Sequence, residues 1–447
     1  MARQMRVGAS MMRKLHADGA IVIGGDYRGL GIVRSLGRRR IPVCVLTDEH
    51  ILGGFSRFTS YRLAWPKSSD SDQLKFLFDL GSRPEFAGWT LFPTSDETAA
   101  LLAKGYARLK EKFVLTTPSW ESLRWAYDKR LTYRLAASVS VRHPWTLYPR
   151  SREDSALREA VFPMILKPAV KSEPCRFTRD KAWLVADRAE LMERYDEACT
   201  MIDQNEIMLQ ELIPGSGDCQ FSYAALLDRG KPLASIVALR QRQQPIDFGH
   251  SSSYVVSIEQ PEVERLARVI LAAMRFSGLV EVEFKRDPRD GQLKLLDINP
   301  RAWGWHSLCG RAGVDFPYLA WNLAHGVKIP ETRARAGVHW VRFTTDILAA
   351  GQAIRERSLT VFEYLGSFRR PLEFAIWAKD DPIPAIMEIP SLLYARMKMR
   401  RTVNHSTRSL LKESRTEPKH TDYASPWLSD ASGSDGMRES SPAQPLD

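Results

Sequence analysis

Apolar and polar positions alternate on two different periods, and the change of period divides the chain. The first run, Ala20-Ile-Val-Ile-Gly24, is apolar throughout, as a strand covered on both faces requires. GDYRGLG follows, then Ile32, Val33 and Leu36 at helical spacing. A second run, Ile41-Pro-Val-Cys-Val-Leu46, leads to Asp48. A third, Thr90-Leu-Phe-Pro, enters TSDETAALLAKGYARL, whose apolar residues again keep a helical period. Strand, helix and strand in alternation predict a parallel sheet with crossover helices, and such sheets bind ligands beyond the carboxyl ends of their strands. This α/β block ends near Trp120 to Trp125.

Beyond Asp128 the pattern changes. Strands are predicted at Met164–Lys167, Ile207–Glu211, Ser222–Leu227 and Ser235–Leu239, followed by a helix over Pro261–Phe276. Then comes VEFKRDPRDGQLKLLDINPR, Val282 to Arg301, in which DPRDG is a turn between two strands. Strands in mostly antiparallel succession with few helices read as α+β. After residue 330 the chain is mixed apolar and basic, and PAIMEIPSLLYARMKMRR (384–401) is its most amphipathic part. Such a segment is expected to pack its apolar face on its own protein, with peripheral membrane contact through 385–401 as the less favoured alternative. Residues 402–447 are rich in Ser, Pro and charge, and a disordered tail is expected there.

The length of 447 residues calls for two or three packed units, and 44% hydrophobic with 26% charged residues is ordinary for a globular protein. The net charge of +11 is uneven: residues 1–18 carry +3, 391–420 carry +6 and 421–447 carry −4, leaving +6 for the 372 residues between. That mild excess suits an anionic small-molecule substrate, and no nucleic-acid-binding signature accompanies it. Five scattered cysteines without a CxxC pair argue against disulfides and structural zinc and fit a reducing cytoplasm. No apolar run is long enough for a signal peptide or a membrane span.

The hairpin is where chemistry concentrates. On a strand Glu281, Glu283 and Lys285 share one face, and Asp297 and Asn299 share one face of the returning strand. Facing carboxylates repel unless a cation joins them, and Mg2+ takes carboxylates together with phosphate oxygens and water. A solvated acidic face is the ordinary alternative; the leucines and Ile298 around it indicate a strand covered on at least one side. Phosphate-handling cations are then required elsewhere. Lys167 ends the apolar strand FPMILKP, where a lysine is costly unless it meets an anion, although it could also snorkel. Lys129 sits at a helix start that Asp128 would cap, and alone it reads as an exposed lysine. MLQELIPG (208–215) is a strand running into a turn whose backbone could pair with an adenine edge, or simply a strand end.

Lys129, Lys167, the QELIPG hinge and then VEF…LDINPR, in that order, resemble the ATP-grasp superfamily, which includes biotin carboxylase and D-alanine–D-alanine ligase. The bacterial ATP-dependent carboligase, or carboxylate–amine ligase, type is most similar. The resemblance covers about residues 19–330. It implies a pre-ATP-grasp α/β domain (19–125), a two-lobed α+β ATP-grasp domain (126–330) and a helical extension (331–401), between a disordered N-terminus (1–18) and the tail. It selects Glu283 over Glu281 and makes Glu283, Asp297 and Asn299 the ligands of Mg2+ or Mn2+. It gives Lys129 and Lys167 to ATP phosphates, Gln210, Glu211, Leu212 and Ile213 to the adenine hinge, with Asp218 beyond it, and Arg301 to the transferring phosphoryl. The implied activity is ATP-dependent activation of a small carboxylate as an acyl phosphate, followed by attack of an amine or similar nucleophile.

Two departures from the family pattern stand out. Asp297 replaces the usual glutamate, and the loop after Lys167, PAVKSEPCRFTRDKAW, lacks glycine, so Lys171, Arg176, Arg179 or Lys181 would close over phosphate by charge. Arg240 and Arg242, two apart on one strand, are expected to share a face and clamp a carboxylate or acyl phosphate, with a solvated basic edge as the alternative. The glycine-rich turn after the first strand does not match GxGxxG, yet its amides could hold a substrate carboxylate. Trp303, Trp305 and His306 are expected to be packing. Two rival readings remain: a nucleotide-binding scaffold without catalysis, favoured by the glycine-free loop, and a nicotinamide-dependent dehydrogenase using GDYRGLG with Asp48 on a ribose.

Overall fold

The computed structural model describes residues 19–47, 50–170, 175–180, 182–215, 217–246 and 251–394. Asp48, the N-terminal 1–18 and the tail 402–447, for which expectations were stated above, lie outside the described residues. The five cysteines are all free thiols.

Strands β1 (Ala20–Ile23), β2 (Val43–Thr47), β3 (Tyr61–Ala64), β4 (Thr90–Pro93) and β5 (Val114–Leu115) form a parallel sheet in the order β3-β2-β1-β4-β5. Every residue of β1, β2 and β4 is buried, which is why these strands read as unbroken apolar runs. Alternate residues serve different cores. Ile21, Ile23, Cys44 and Leu46 pack with Leu77, Leu102 and Phe113. Ala20, Val22, Val43 and Val45 pack with Leu30, Val33 and Leu36 and also with Trp303, Trp305 and strand residues of the C-terminal sheet. The first sheet and the last therefore share one core.

Strand order reverses between β1 and β4, so the loops after these two strands diverge and leave a crevice. The loop after β1 requires Gly24: its φ is +119°, and a Cβ there would lie 2.0 Å from Thr94 Oγ1. Asp26 then caps the helix Tyr27–Gly37, accepting from the amides of Arg28 (2.9 Å) and Gly29 (3.2 Å). The amides offered above to a substrate carboxylate are thus taken by the chain's own carboxylate. Helix residues Tyr27 and Arg28, and Asp96 after β4, point the crevice toward the next domain.

Strands β6 (Thr146–Leu147), β7 (Met164–Pro168), β8 (Trp183–Val185) and β9 (Ile207–Glu211) make a small antiparallel sheet, ordered β6-β9-β7-β8. The large sheet comprises β10 (Gln220–Asp228), β11 (Lys231–Gln244), β12 (Ser251–Ile258), β13 (Gly278–Arg286), β14 (Leu293–Asn299), β15 (Thr332–Arg333), β16 (His339–Val341) and β17 (Leu372–Phe374). Its order is β14-β13-β10-β11-β12-β16-β17, with β15 beside β11. The helix Pro261–Ala273 covers one face through Val263, Ala267, Ile270 and Leu271, which pack on Tyr223, Val237, Val280 and Val282. Two lobes with a cleft between them result.

The extension contains helices Phe343–Arg355 and Val361–Gly366 and a helical stretch at 383–394, but it also contributes β15 to β17 to the large sheet. Strands of two or three residues are too short to show alternation, so the sequence read only the helices. Residues 383–394 also overturn the expected inward apolar face. Glu388 and Ser391 are buried, whereas Ile386, Ile389 and Leu393 are exposed. Glu388 is drawn inward by Thr344, whose hydroxyl donates to it at 2.5 Å, and by Arg342 at 3.8 Å. No helix among the described residues is long and apolar enough to cross a membrane.

Candidate active site

A cleft of about 600 Å³ lies between the two lobes, and Tyr27 and Arg28 reach it from the first sheet. The hairpin forms one wall. Glu281 faces Asn299, and Glu283 faces Asp297. Between Glu283 and Phe284 the register shifts, so Phe284 pairs with Leu295 and Leu296 is the extra residue. The bulge lets Leu293, Leu295 and Ile298 enter the core while Lys294, Leu296, Asp297 and Asn299 lie on the other side. Strict alternation from Leu293 would have put Asp297 among the leucines.

Cations and amides surround the acidic row. Lys129 Nζ is 2.5 Å from Asp297 Oδ1, and Arg240 is 3.2 Å from Glu283 Oε1. Asn299 Nδ2 donates to Glu281 Oε2 (3.2 Å) and Glu283 Oε1 (3.0 Å). Arg301 donates to Asn299 Oδ1 (3.2 Å) and pairs with Asp96 at 3.0 Å, joining the hairpin to the first sheet. Glu281 lies deepest, 4% exposed, with Trp305 Nε1 donating to Oε1 at 2.9 Å. Burial, and then the neighbouring Glu283 carboxylate, push the Glu281 carboxyl up to about 7. Trp305 is thus a cleft residue and not packing alone; His306 is structural, its ring hydrogen-bonded to the Arg28 carbonyl.

The donor set fits a hard divalent cation. Among the described residues no three Cys, His, Asp or Glu side chains converge to hold an ion by themselves. Two facing carboxylates beside an amide supply part of a shell, which is the incomplete all-oxygen set that Mg2+ completes with phosphate and water.

The opposite wall carries the residues expected to meet phosphate and base. Lys129 opens the helix Lys129–Ser138, capped by Asp128 as its sequence indicated, and Lys167 lies half-buried near the end of β7; both line the cleft. Gln210, Glu211, Leu212 and Ile213 line it as well. Gln210 is buried and donates to the hydroxyls of Tyr133 (3.0 Å) and Thr146 (3.1 Å). Glu211 accepts from the Trp145 amide (2.9 Å), Lys294 (2.7 Å) and Arg289 (2.7 Å). Burial opposes its ionisation, yet these donors together hold its carboxyl below the usual carboxylate range. Both side chains are engaged and the Glu211 amide donates to the Trp145 carbonyl (2.9 Å), so a ligand would meet the backbone just past the strand, at Leu212 and Ile213. Lys285 Nζ fastens the loop beyond by donating to the carbonyls of Ile213 (2.8 Å) and Gly215 (2.7 Å).

Three expectations come out differently. Arg242 does not line the cleft. Register shifts on either side of it turn it away from Arg240, and it makes a two-pronged pair with buried Asp346 (2.9 and 2.8 Å). Asp218 sits exposed in the turn Gly217–Cys219 and does not line the cleft either. In the loop after Lys167, Arg176 pairs with Glu197 (2.9 Å) on the outer surface, while Lys171, Lys181 and the Arg179 side chain lie outside the described residues. The dehydrogenase reading also loses ground, because Asp26 occupies the helix N-terminus that a dinucleotide pyrophosphate needs.

Residues 204–344, which span the hinge and the acidic hairpin, match the family model described as "ATP-grasp in the biosynthetic pathway with Ter operon". That stretch of the chain is ATP-grasp in pattern. The chain is 23% identical over 316 residues to D-aspartate ligase of Enterococcus faecium (strain Aus0004), covering 63% of its own length and 70% of the relative's. It is 27% identical over 197 residues to D-alanine–D-alanine ligase of Xanthomonas axonopodis pv. citri, covering 39% and 55%. Among solved structures, L-amino acid ligase of Bacillus licheniformis superposes with a TM-score of 0.54 at 14% identity, over 69% of this chain and 74% of that one. The biotin carboxylase domain of Hydrogenobacter thermophilus 2-oxoglutarate carboxylase, solved with MgADP, ADP and bicarbonate, superposes at 0.55, 14% identity, over 71% and 73%. At such identities these structures establish the ATP-grasp fold, and the chemistry rests on the cleft itself.

Proposed function

We propose that this ATP-grasp protein is a Mg2+- and ATP-dependent ligase that joins a small carboxylic acid to an amine, or a similar nucleophile such as a thiol, releasing ADP and phosphate. One observation supports the reading above others: Glu283 and Asp297 oppose each other in register, with Lys129, Arg240 and Arg301 in the same cleft and a backbone hinge across it. Phosphoryl transfer asks a protein chiefly for positioning and charge neutralisation, and this is the inventory present.

The substrate carboxylate oxygen attacks the γ-phosphorus, the bond to the ADP oxygen breaks, and an acyl phosphate forms. The nucleophile then bonds to the acyl carbon, its proton is lost, and phosphate leaves. Lys129 and Lys167 hold phosphate oxygens, and the backbone at Leu212 and Ile213 holds the adenine. Arg301, steadied by Asp96, and Arg240 face the transferring group and the acyl phosphate. Glu283, Asp297 and Asn299 would hold Mg2+, which when bound supplies neutralisation of the β- and γ-phosphate charge. Lys129 and Arg240, which pair with Asp297 and Glu283, would exchange carboxylate for phosphate.

ADP release measured over a matrix of carboxylates and amines, with products read by mass spectrometry, tests this function. Release that requires both an acid and a nucleophile is expected. ATP-dependent thermal stabilisation without release over the whole matrix would instead establish the second reading, nucleotide binding without turnover, which the glycine-free stretch from Pro168 to Trp183 favours.

A further inference from the structure

Two of the cleft's arginines are engaged by the protein at both terminal nitrogens, and a third is not. Arg240 donates from Nη1 to Gln220 (3.2 Å) and Gln243 (3.4 Å), and its Nη2 pairs with Glu283 (3.2 Å). Arg301 donates from Nη1 to the Ala302 carbonyl (3.2 Å) and from Nη2 to Asp96 (3.3 Å) and Asn299 (3.2 Å). Arg28 lines the same cleft, yet its side chain meets the protein through Nε, which donates to Asp26 Oδ2 at 2.7 Å. Among the described residues its two terminal nitrogens have no acceptor, and the side chain is 27% exposed.

The chain fixes this guanidinium in place. Asp26 takes the Arg28 and Gly29 amides on Oδ1 and the Arg28 Nε on Oδ2. The His306 ring donates to the Arg28 carbonyl (2.9 Å), and the helix lies so close to that ring that a Cβ at Gly31 would come within 2.5 Å of its Cε1. His306 follows Trp305, which donates to Glu281 of the acidic row. Arg28 is therefore anchored to the segment that runs on from the hairpin. It enters the cleft from the crevice between the loops after β1 and β4, where Asp96 grips Arg301.

The carboxylates nearby do not call for it. Asp96 holds Arg301, Asp297 holds Lys129 and Glu283 holds Arg240, while the two oxygens of Glu281 accept from Trp305 and Asn299. A partly buried guanidinium with an open fork gives up hydration that an anion replaces through two parallel hydrogen bonds. Under the proposed function the triphosphate has Lys129 and Lys167, and the reacting carboxylate has Arg240 and Arg301. We propose, resting on that reading, that Arg28 receives a second anionic group of the substrate pair. This is a carboxylate or phosphate that the ligation does not consume, and it selects which acid or which amine is joined.

Matched pairs test the proposal, each anion set against a neutral counterpart: glutarate and its monoamide, alanine and alaninamide, phosphoethanolamine and ethanolamine. Binding to protein loaded with Mg2+ and a non-hydrolysable ATP analogue is read by calorimetry, and ADP release is read with ATP. In at least one pair the anionic member is expected to bind and react in preference to its counterpart. Arg28→Gln is expected to raise its KM about 10- to 100-fold with the KM for ATP unchanged, the scale of a hydrogen-bonded charge. The pair that responds tells whether the anion is carboxylate or phosphate, and whether acid or nucleophile carries it. Arg28→Gln keeps the amides that Asp26 caps, and an unchanged rise in melting temperature with the nucleotide shows that fold and nucleotide site survive. Selective binding that Arg28→Gln abolishes, without ADP release from any pair, supports the anion site while refuting ligation. ADP release with anionic and neutral members used alike, or a preference that Arg28→Gln leaves intact, overturns the proposal and leaves ligation standing. No binding of any anionic member overturns it as well.

Discussion

Two glutamates two residues apart are indistinguishable by strand alternation, and the partners of each now separate them. Both oxygens of Glu281 are held, Oε1 by Trp305 and Oε2 by Asn299, while the contacts of Glu283 from Arg240 and Asn299 both fall on Oε1. Under the proposed function, Glu281 positions its neighbours and Glu283 binds the ion. Glu283→Gln is therefore expected to lower Mg2+-dependent ADP release about 10²-fold or more, the scale at which a charge-stabilising group acts in transfer chemistry. Asn299→Ala, which also removes one of the acceptors of Arg301, should match it. Glu281→Gln can still accept from Trp305 and should cost about tenfold. Thermal melts check that all three fold. Equal losses at Glu281 and Glu283 would remove the distinction.

At the scale of elements, what the sequence hid was irregularity. The fully buried strands β1, β2 and β4, and β9 at Ile207–Glu211, were legible because covered strands are apolar throughout. Most of the candidate site was legible too, since Lys129, Lys167, the hinge and the acidic row belong to elements whose patterns are strong. Arg242 was misplaced because a bulge is invisible to a period of two. Its pair with Asp346 is structural, so Asp346→Ala should cost about 3–5 kcal/mol of stability, the range for orphaning a buried charge. ATP-dependent thermal stabilisation should survive, which it would not if Arg242 served the cleft.

The hinge makes a pH prediction at the same scale. Hydrogen bonds from Arg289 hold the buried Asp287 carboxyl far below its usual range, and Lys294 bridges it (2.9 Å) to Glu211, itself held low. A carboxyl depressed on folding stabilises the native state fully above its unfolded value, and that stability is lost as pH falls through the folded value. The denaturant midpoint of Asp287→Asn should thus trail wild type by a constant margin at neutral pH, and the margin should close below about pH 4. A margin unchanged at low pH would mean that the carboxylate stabilises nothing by charge.

At the scale of the whole molecule, the cleft exists because two sheets share a core. Trp303 is fully buried, its ring centroid 5.0 Å from that of Phe316 and 5.5 Å from that of Trp305, in the cluster that also takes Val22 and Val45 of the first sheet and Ile236 of the large one. Arg301 and Asp96 cross the same junction. A first domain that merely preceded a catalytic one would unfold apart from it; one sharing side chains with the wall beneath the acidic row should not. Chemical denaturation followed at two probes, intrinsic fluorescence and far-ultraviolet circular dichroism, should therefore give one coincident transition. Trp303→Ala should shift it by about 3–5 kcal/mol at both probes together. Under the proposed function the nucleotide lies between the lobes, so ATP with Mg2+ at about a hundred times its dissociation constant should raise that single transition by ~2.7 kcal/mol. If ATP raised only one of two resolved transitions, the shared core would not be joining the first sheet to the nucleotide cleft.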